Sequence, residues 1–168
     1  MGAKTNISYN CLDRHLAKRA NKNAIIFESE HGEVQKITFE ELYERVCQMA
    51  VLLRSKNIEA GDRVAIYMPM IPEAIVSMLA CARIGAVHSV VFGGFSSQAL
   101  AERIQDANCK AVISADGAYR RGKLVELKKN VDEALESCPN VATHFVFRWA
   151  KNDVSMKQDR DLWVKDNL

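Results

Sequence analysis

The sequence has no excess of charge of one sign. Lys plus Arg total 23 and Asp plus Glu total 21, a formal net charge of +2 over 168 residues. Nonspecific nucleic-acid binding is therefore not expected, and any preference for anions must come from local clustering. Paired cysteines are also missing. Cys11, Cys47, Cys81, Cys109 and Cys138 are spread along the chain without a C-x-x-C pair or a His at metal-ligand spacing, which argues against zinc. An odd count with no apolar secretory leader points to a reducing, cytoplasmic setting where thiols serve as small core residues. No uninterrupted hydrophobic run is long enough to span a bilayer: the stretch from Ala74 to Phe92 is broken by Arg83, Gly85 and His88 and reads as helix, turn and strand, so no membrane span is expected. There is no internal repeat and no low-complexity linker. No G-x-S-x-G, G-x-G-x-x-G or Walker loop occurs, and no Ser-His-Asp arrangement or carboxylate pair can be placed, so nucleophile-elbow and dinucleotide chemistry lack support.

What is present is an ordinary globular balance, 48% hydrophobic and 26% charged, which excludes disorder and fibrous architectures. A chain of this length suits one domain and buries roughly 70% of its unfolded surface. Met1-Gly2-Ala3 reads as a cloning remnant. Leu12, Leu16 and Ala20 recur at helical spacing, with Arg14, Lys18 and Arg19 on the polar side. Ala24–Phe27 and Val34–Ile37 read as strands joined through Glu30-His31-Gly32-Glu33, an antiparallel hairpin. Thr38 and Glu41 form a capping box ahead of a helix with an apolar stripe of Leu42, Val46, Met49 and Leu53.

Arg63–Met68 is a strand stopped by Pro69, and Pro72 suits the first turn of a helix that runs to Ile84 and closes at Gly85. Val87–Phe92, apolar on both sides, is expected as a parallel strand covered on both faces, with His88 as a hydrogen-bonded core histidine. Ser96 or Ser97 caps a helix over Ala99–Asn108. Ala111–Ser114 is a strand, Asp116–Lys123 a polar loop, Leu124–Ser137 a helix and His144–Phe147 a last strand. The alternation implies an α/β fold: a mostly parallel sheet with helices on both faces, plus the antiparallel hairpin near the N-terminus. Residues 1–168 are expected as a single α/β subdomain, with residues 150–168 a polar tail that stops in mid-element.

Ligands of open parallel sheets collect outside the carboxyl ends of the strands, where amides at helix starts converge. Three segments qualify. Tyr67–Pro72 reads as a stiff turn. Gly93-Gly94, between Phe92 and Phe95, permits close backbone approach by a thin ligand arm; a plain tight turn is the alternative. Arg120-Arg121-Gly122-Lys123 packs three cations into four positions, with Lys128 and Lys129 following. That combination of forks and point charge suits phosphate, although a solvated face has the same composition. His15, His31 and His144 have no partner that would make them a base or a ligand.

Several long strings carry a resemblance: Asn10–Leu16, Val64–Met70, Met78–Val90 and Phe92–Ser96. They closely resemble the AMP-forming acetyl-coenzyme A synthetases of the adenylate-forming superfamily, with propionyl-CoA synthetases as near relatives, and the similarity covers almost the whole chain. The resemblance implies the N-terminal subdomain of the acyl-CoA synthetase fold. It implies a ligase that joins acetate to ATP as acetyl-adenylate, with Mg2+ in that step, and then passes the acetyl group to CoA. By this resemblance Arg120, Arg121, Gly122 and Lys123 contact the nucleotide end of CoA, where the family commonly carries Arg-x-Gly-Arg; Lys123 replaces the final Arg and loses its bidentate fork. Gly93 and Gly94 are similar to the part lining the pantetheine passage. The family's Ser/Thr/Gly-Lys phosphate loop, acyl pocket, ribose-binding Asp and C-terminal catalytic Lys have no counterpart in the chain. A fragment that is inactive alone, and that has the C-terminal remainder of the enzyme and its small-molecule substrates as partners, is therefore expected. A stand-alone nucleotide- or phosphate-binding module and a ligand-free interaction domain are the rivals.

Overall fold

Local signals account for most of the elements in the computed structural model, which describes residues 4–168; the expectation for Met1-Gly2-Ala3 lies outside them. Thr38 Oγ1 accepts from the Glu41 amide while the Glu41 carboxylate accepts from the Thr38 amide, so the capping box starts helix α2, Phe39–Ser55. Leu42, Val46, Met49 and Leu53 are buried along it. Pro72 opens α3, Pro72–Ile84, and Gly85 closes it in the left-handed conformation that only a residue without a Cβ adopts at no steric cost. Ahead of these lie a π-helical turn, Tyr9–Asp13, the short helix α1, Arg14–Arg19, and the antiparallel hairpin of β1, Asn23–Glu28, and β2, Val34–Thr38.

The main sheet has five strands, all parallel: β3 (Arg63–Met68), β4 (Val87–Phe92), β5 (Ala111–Ala115), β8 (Thr143–Phe147) and β9 (Asp161–Trp163), in the order β4-β3-β5-β8-β9. The crossover through α3 runs outward from β3 to β4. Those through α4 (Ser97–Asp106) and α5 (Leu127–Leu135) run the other way. With right-handed crossovers, α3 falls on one face and α4 and α5 on the other, in keeping with α2 packing on α3 and α4 on α5. The direction of winding reverses between β3 and β5, so their carboxyl ends form the crevice where open α/β sheets bind ligands.

Four expectations need correction. Strand β4 is an edge strand rather than a doubly covered one: β3 is its only neighbour, and Val87, Val90 and Phe92 are each more than half exposed. Apolar composition signals that a strand wants cover, not that this segment of chain supplies it. His88 accordingly is exposed and not a core histidine, although partial burial lowers its pKa. Asp116–Lys123 is not a plain loop, and helix α5 starts only at Leu127, because Ala118–Arg120 (β6) and Lys123–Val125 (β7) pair as a hairpin. Residues 150–168 contain β9, which extends the sheet, and a 3-10 turn at Lys165–Asn167.

Candidate functional site

Two loops meet at the carboxyl ends of β4 and β5. The first is the Gly93-Gly94 turn, closed by the Phe95 amide donating to the Phe92 carbonyl at 3.0 Å and held from below by Tyr67. The Tyr67 hydroxyl donates to the Phe95 carbonyl at 2.6 Å and accepts from the Asn130 side-chain amide of α5 at 3.2 Å. Ser96 then caps α4 by accepting from the Ala99 amide.

The second loop is the β6–β7 hairpin. Arg121 and Gly122, its two central residues, have φ of 53° and 72°, the pattern of a type I′ turn, whose twist matches that of the strands it joins. Gly122 meets that requirement without strain and Arg121 does not. The Gly122 amide donates to Glu30 Oε1 at 2.8 Å, which ties the hairpin tip to the turn between β1 and β2. Arg120 and Lys123 are register partners and so share one face of the hairpin, while Tyr119 and Leu124 share the other.

The two loops touch through Arg120. Its guanidinium lies 5.0 Å from the Phe92 ring centroid, and a Cβ added to Gly94 would sit only 2.8 Å from Arg120 Nη1. Glycine at 94 is therefore what lets the cation reach the turn. Phe92 and Phe95 stand edge to face at 5.9 Å, and Arg103 covers the Phe95 ring at 4.4 Å. The result is an exposed patch of two aromatic rings, two guanidinium groups and open backbone, in which the guanidinium forks suit a phosphate or carboxylate. Of the sequence-predicted residues, the structure brings Arg120, Gly93 and Gly94 together and puts Lys123 on the Arg120 face. Arg121 sits exposed at the turn. The opposite face of the hairpin looks elsewhere: Tyr119 packs on His31 at 5.4 Å and borders a cavity of about 660 Å³ off the ends of β8 and β9.

Lys128 does not belong to the cation cluster. It is 1% exposed and makes ion pairs of 2.7 Å with both Asp132 and Asp161; Lys129 is exposed near Glu126. Nor is His144 without partners. On three neighbouring strands, Ser114 Oγ lies 2.7 Å from His144 Nε2, and His144 Nδ1 lies 3.6 Å from Asp161 Oδ1, beyond hydrogen-bonding range. The order Ser-His-Asp is present, but all three side chains are buried beneath Lys128 and Arg160, where no substrate reaches. Burial lowers the His144 pKa, with Asp161 opposing. Burial acts to raise the Asp161 carboxyl, but His144, Arg160 and Lys128 outweigh it and hold it far below the usual carboxylate range. Asp132, His144 and Asp161 could converge on a metal by distance, yet Lys128 and Arg160 already occupy both carboxylates, so the cluster does not fit Mg2+. Burial pushes the Cys81 thiol up to about 12, as expected for a core residue. Among the described residues no helix is long and apolar enough to cross a membrane.

Comparisons agree with the resemblance seen in the sequence. The model of the AMP-binding enzyme family matches residues 12–164. An acetyl-coenzyme A synthetase of Alkalilimnicola ehrlichii is 52% identical over 166 residues, covering 98% of this chain and 26% of that protein. Acetyl-coenzyme A synthetase 2 of Pseudomonas putida is 53% identical over the same shares. Among solved structures, an acetoacetyl-CoA synthetase from Streptomyces lividans superposes with a TM-score of 0.90 at 26% identity, over 99% of this chain and 25% of that one. The chain thus spans about a quarter of the length of the relatives it matches. Its sequence and its fold place it in the AMP-binding enzyme family.

Proposed function

We propose that the chain is the N-terminal quarter of an AMP-forming acetate:CoA ligase and that it supplies part of the CoA docking surface. One observation carries the second half of this reading: the Arg120 guanidinium sits against the Gly94 backbone, with Lys123 on the same side of the hairpin. Phosphate recognition calls for a fork and a point charge beside an approachable backbone, and this is the one place among the described residues where sequence-predicted cations and the glycine turn coincide. Lys123 contributes charge without bidentate geometry. Phe92 and Phe95 offer faces on which a purine can stack.

Adenylation of acetate requires groups that position the ATP phosphates and stabilise charge in the transition state. No residue described here is given that role, and none is assigned to Mg2+. Acetate, ATP and the remaining three quarters of the enzyme are accordingly the partners of the parent protein, and the chain on its own is expected to release no pyrophosphate from ATP in the presence of acetate.

A chimera tests the reading. Residues 12–164 replace the matching segment of the Pseudomonas putida enzyme, and acetyl-CoA formation is assayed alongside acetate-dependent exchange of pyrophosphate into ATP. Arg120→Ala in the chimera is expected to raise KM for CoA about tenfold or more, the loss of one charge-assisted contact, and to leave the exchange reaction unchanged. An equal loss in both assays would remove Arg120 from the coenzyme side.

A further inference from the structure

Asp116 follows the last residue of β5 and is 1% exposed, yet among the described residues no cation pairs with its side chain. Four backbone amides meet its carboxylate instead. Oδ1 accepts from Gly117 at 2.7 Å, Trp149 at 2.8 Å and Ala150 at 2.9 Å, and Oδ2 accepts from Lys151 at 2.8 Å. Its own amide donates to the Phe147 carbonyl, and its carbonyl accepts from the Lys128 amide at the start of α5. A buried carboxylate is tolerated only when its lone pairs are filled, and here all the donors come from two segments: the foot of the β6–β7 hairpin and the chain leaving β8.

Gly117 completes the junction. A Cβ there would stand 2.5 Å from Asn152 Oδ1, 3.0 Å from Leu124 Cδ1 and 3.1 Å from the Val125 carbonyl oxygen. The hairpin therefore leaves β5 at an angle set on one side by the carboxylate and on the other by close packing against residue 152 and β7.

We propose that Asp116 is the positioning residue of the coenzyme hairpin: by fastening residues 149–151 to Gly117, its carboxylate sets where Arg120 and Lys123 stand relative to Gly94. The functional part of this inference rests on the CoA reading above; the mechanical part does not. Arg120 stands four positions beyond Asp116, at most about 13 Å at roughly 3.3 Å per position, so a tilt of about 10° at the foot carries it up to about 2 Å. That is enough to take it off the Phe92 ring.

Asp116→Asn is the discriminating variant. With its oxygen in the Oδ1 place it keeps three acceptor contacts and turns an N–H2 toward the Lys151 amide. Gly117→Ala displaces the same junction from the other side and leaves the carboxylate intact. In the 168-residue chain, amide exchange by NMR is expected to show protection at Lys151 and across residues 118–125 falling roughly tenfold in each variant, while β3, β5 and β8 keep theirs. The Arg120 side-chain resonances, shifted by the Phe92 ring in the parent, should move toward ordinary values, a change that global destabilisation with an intact sheet does not produce. CoA affinity should fall in Asp116→Asn, and adding Asp116→Asn to Arg120→Ala should weaken binding by less than Asp116→Asn does alone, only the share that acts through Lys123 remaining, the non-additivity of a residue acting through another. Unchanged hairpin protection and unchanged Arg120 resonances in both folded variants would overturn the positioning role. If those change while Arg120→Ala leaves CoA binding untouched, the coenzyme reading fails and the mechanical role stands.

Discussion

Adding a single carbon at Gly94 separates the proposed coenzyme patch from the stability of the fold. In Gly94→Ala the new Cβ would lie 2.5 Å from Phe92 Cε1 and 2.8 Å from Arg120 Nη1, whereas comfortable carbon contacts need about 3.5–4.0 Å, so ring and guanidinium must retreat by about 1 Å. Gly94 is exposed and its φ lies outside the left-handed region. Alanine is therefore accepted by the backbone, and the loss of unfolded-chain freedom stabilises by about 0.4–1 kcal/mol. A charge-assisted hydrogen bond from Arg120 to a phosphate is worth about 1.5–3 kcal/mol, and loss of roughly 1 kcal/mol of it weakens binding about fivefold. The assay is a CoA titration beside a urea melt: Kd should rise about fivefold and the urea midpoint should stay or rise slightly. Gly93→Ala is the control, because its Cβ would meet Met68 O at 3.3 Å and Leu127 Cδ2 at 3.4 Å and would not reach Arg120; its Kd should not change. Equal affinity for parent and Gly94→Ala would refute the account of this patch.

Two further outcomes concern the buried charges. Lys128→Met keeps the side-chain volume but leaves Asp161 to Arg160 and His144; removing one member of a buried ion pair costs about 3–5 kcal/mol, a fall in Tm of about 10 °C for a chain of this size. A calorimetric loss under about 1 kcal/mol would contradict that reading. Because burial lowers the His144 pKa, the unfolded chain takes up this proton first as pH falls below about 6.5, and stability should drop by at most about 1.4 kcal/mol per pH unit. The stability lost on acidification should be smaller in His144→Asn, as read from urea melts at neutral and mildly acidic pH; identical pH slopes would show that the imidazole is not the group responsible.

Elements with a local signature were legible from sequence. The Thr38 and Glu41 capping box, the Pro72 start and Gly85 stop of α3, and the β-branched runs of β3 and β5 each act within a few residues, and each is where the sequence places it. The hairpin of β6 and β7 was not, because its turn puts Arg121 in the left-handed region and its strands carry charged residues, so it has the composition of a loop. Strand β9 is three residues long, too short for periodicity to register. The Arg120 and Gly94 pairing could be anticipated only through the resemblance to a family, since the 25 residues of intervening chain carry no signal that they meet. The network of Ser114, Lys128, Asp132, His144, Arg160 and Asp161 forms only when β5, β8 and β9 line up side by side, and the amide nest around Asp116 only when the chain leaving β8 meets the end of β5. An acidic residue after a strand gives no hint of how many amides will point at it.

On the proposed reading, the glycine turn and the β6–β7 hairpin form one coenzyme-binding surface. Titration of CoA into the isotopically labelled chain, followed by NMR, tests it most directly. The amides of Gly93, Gly94 and Phe95 should shift together with those of Arg120 and Lys123 along a single binding curve, and Arg120→Ala should remove the shifts from both loops. Shifts confined to the cavity off β8 and β9, or none in either loop at millimolar CoA, would contradict it.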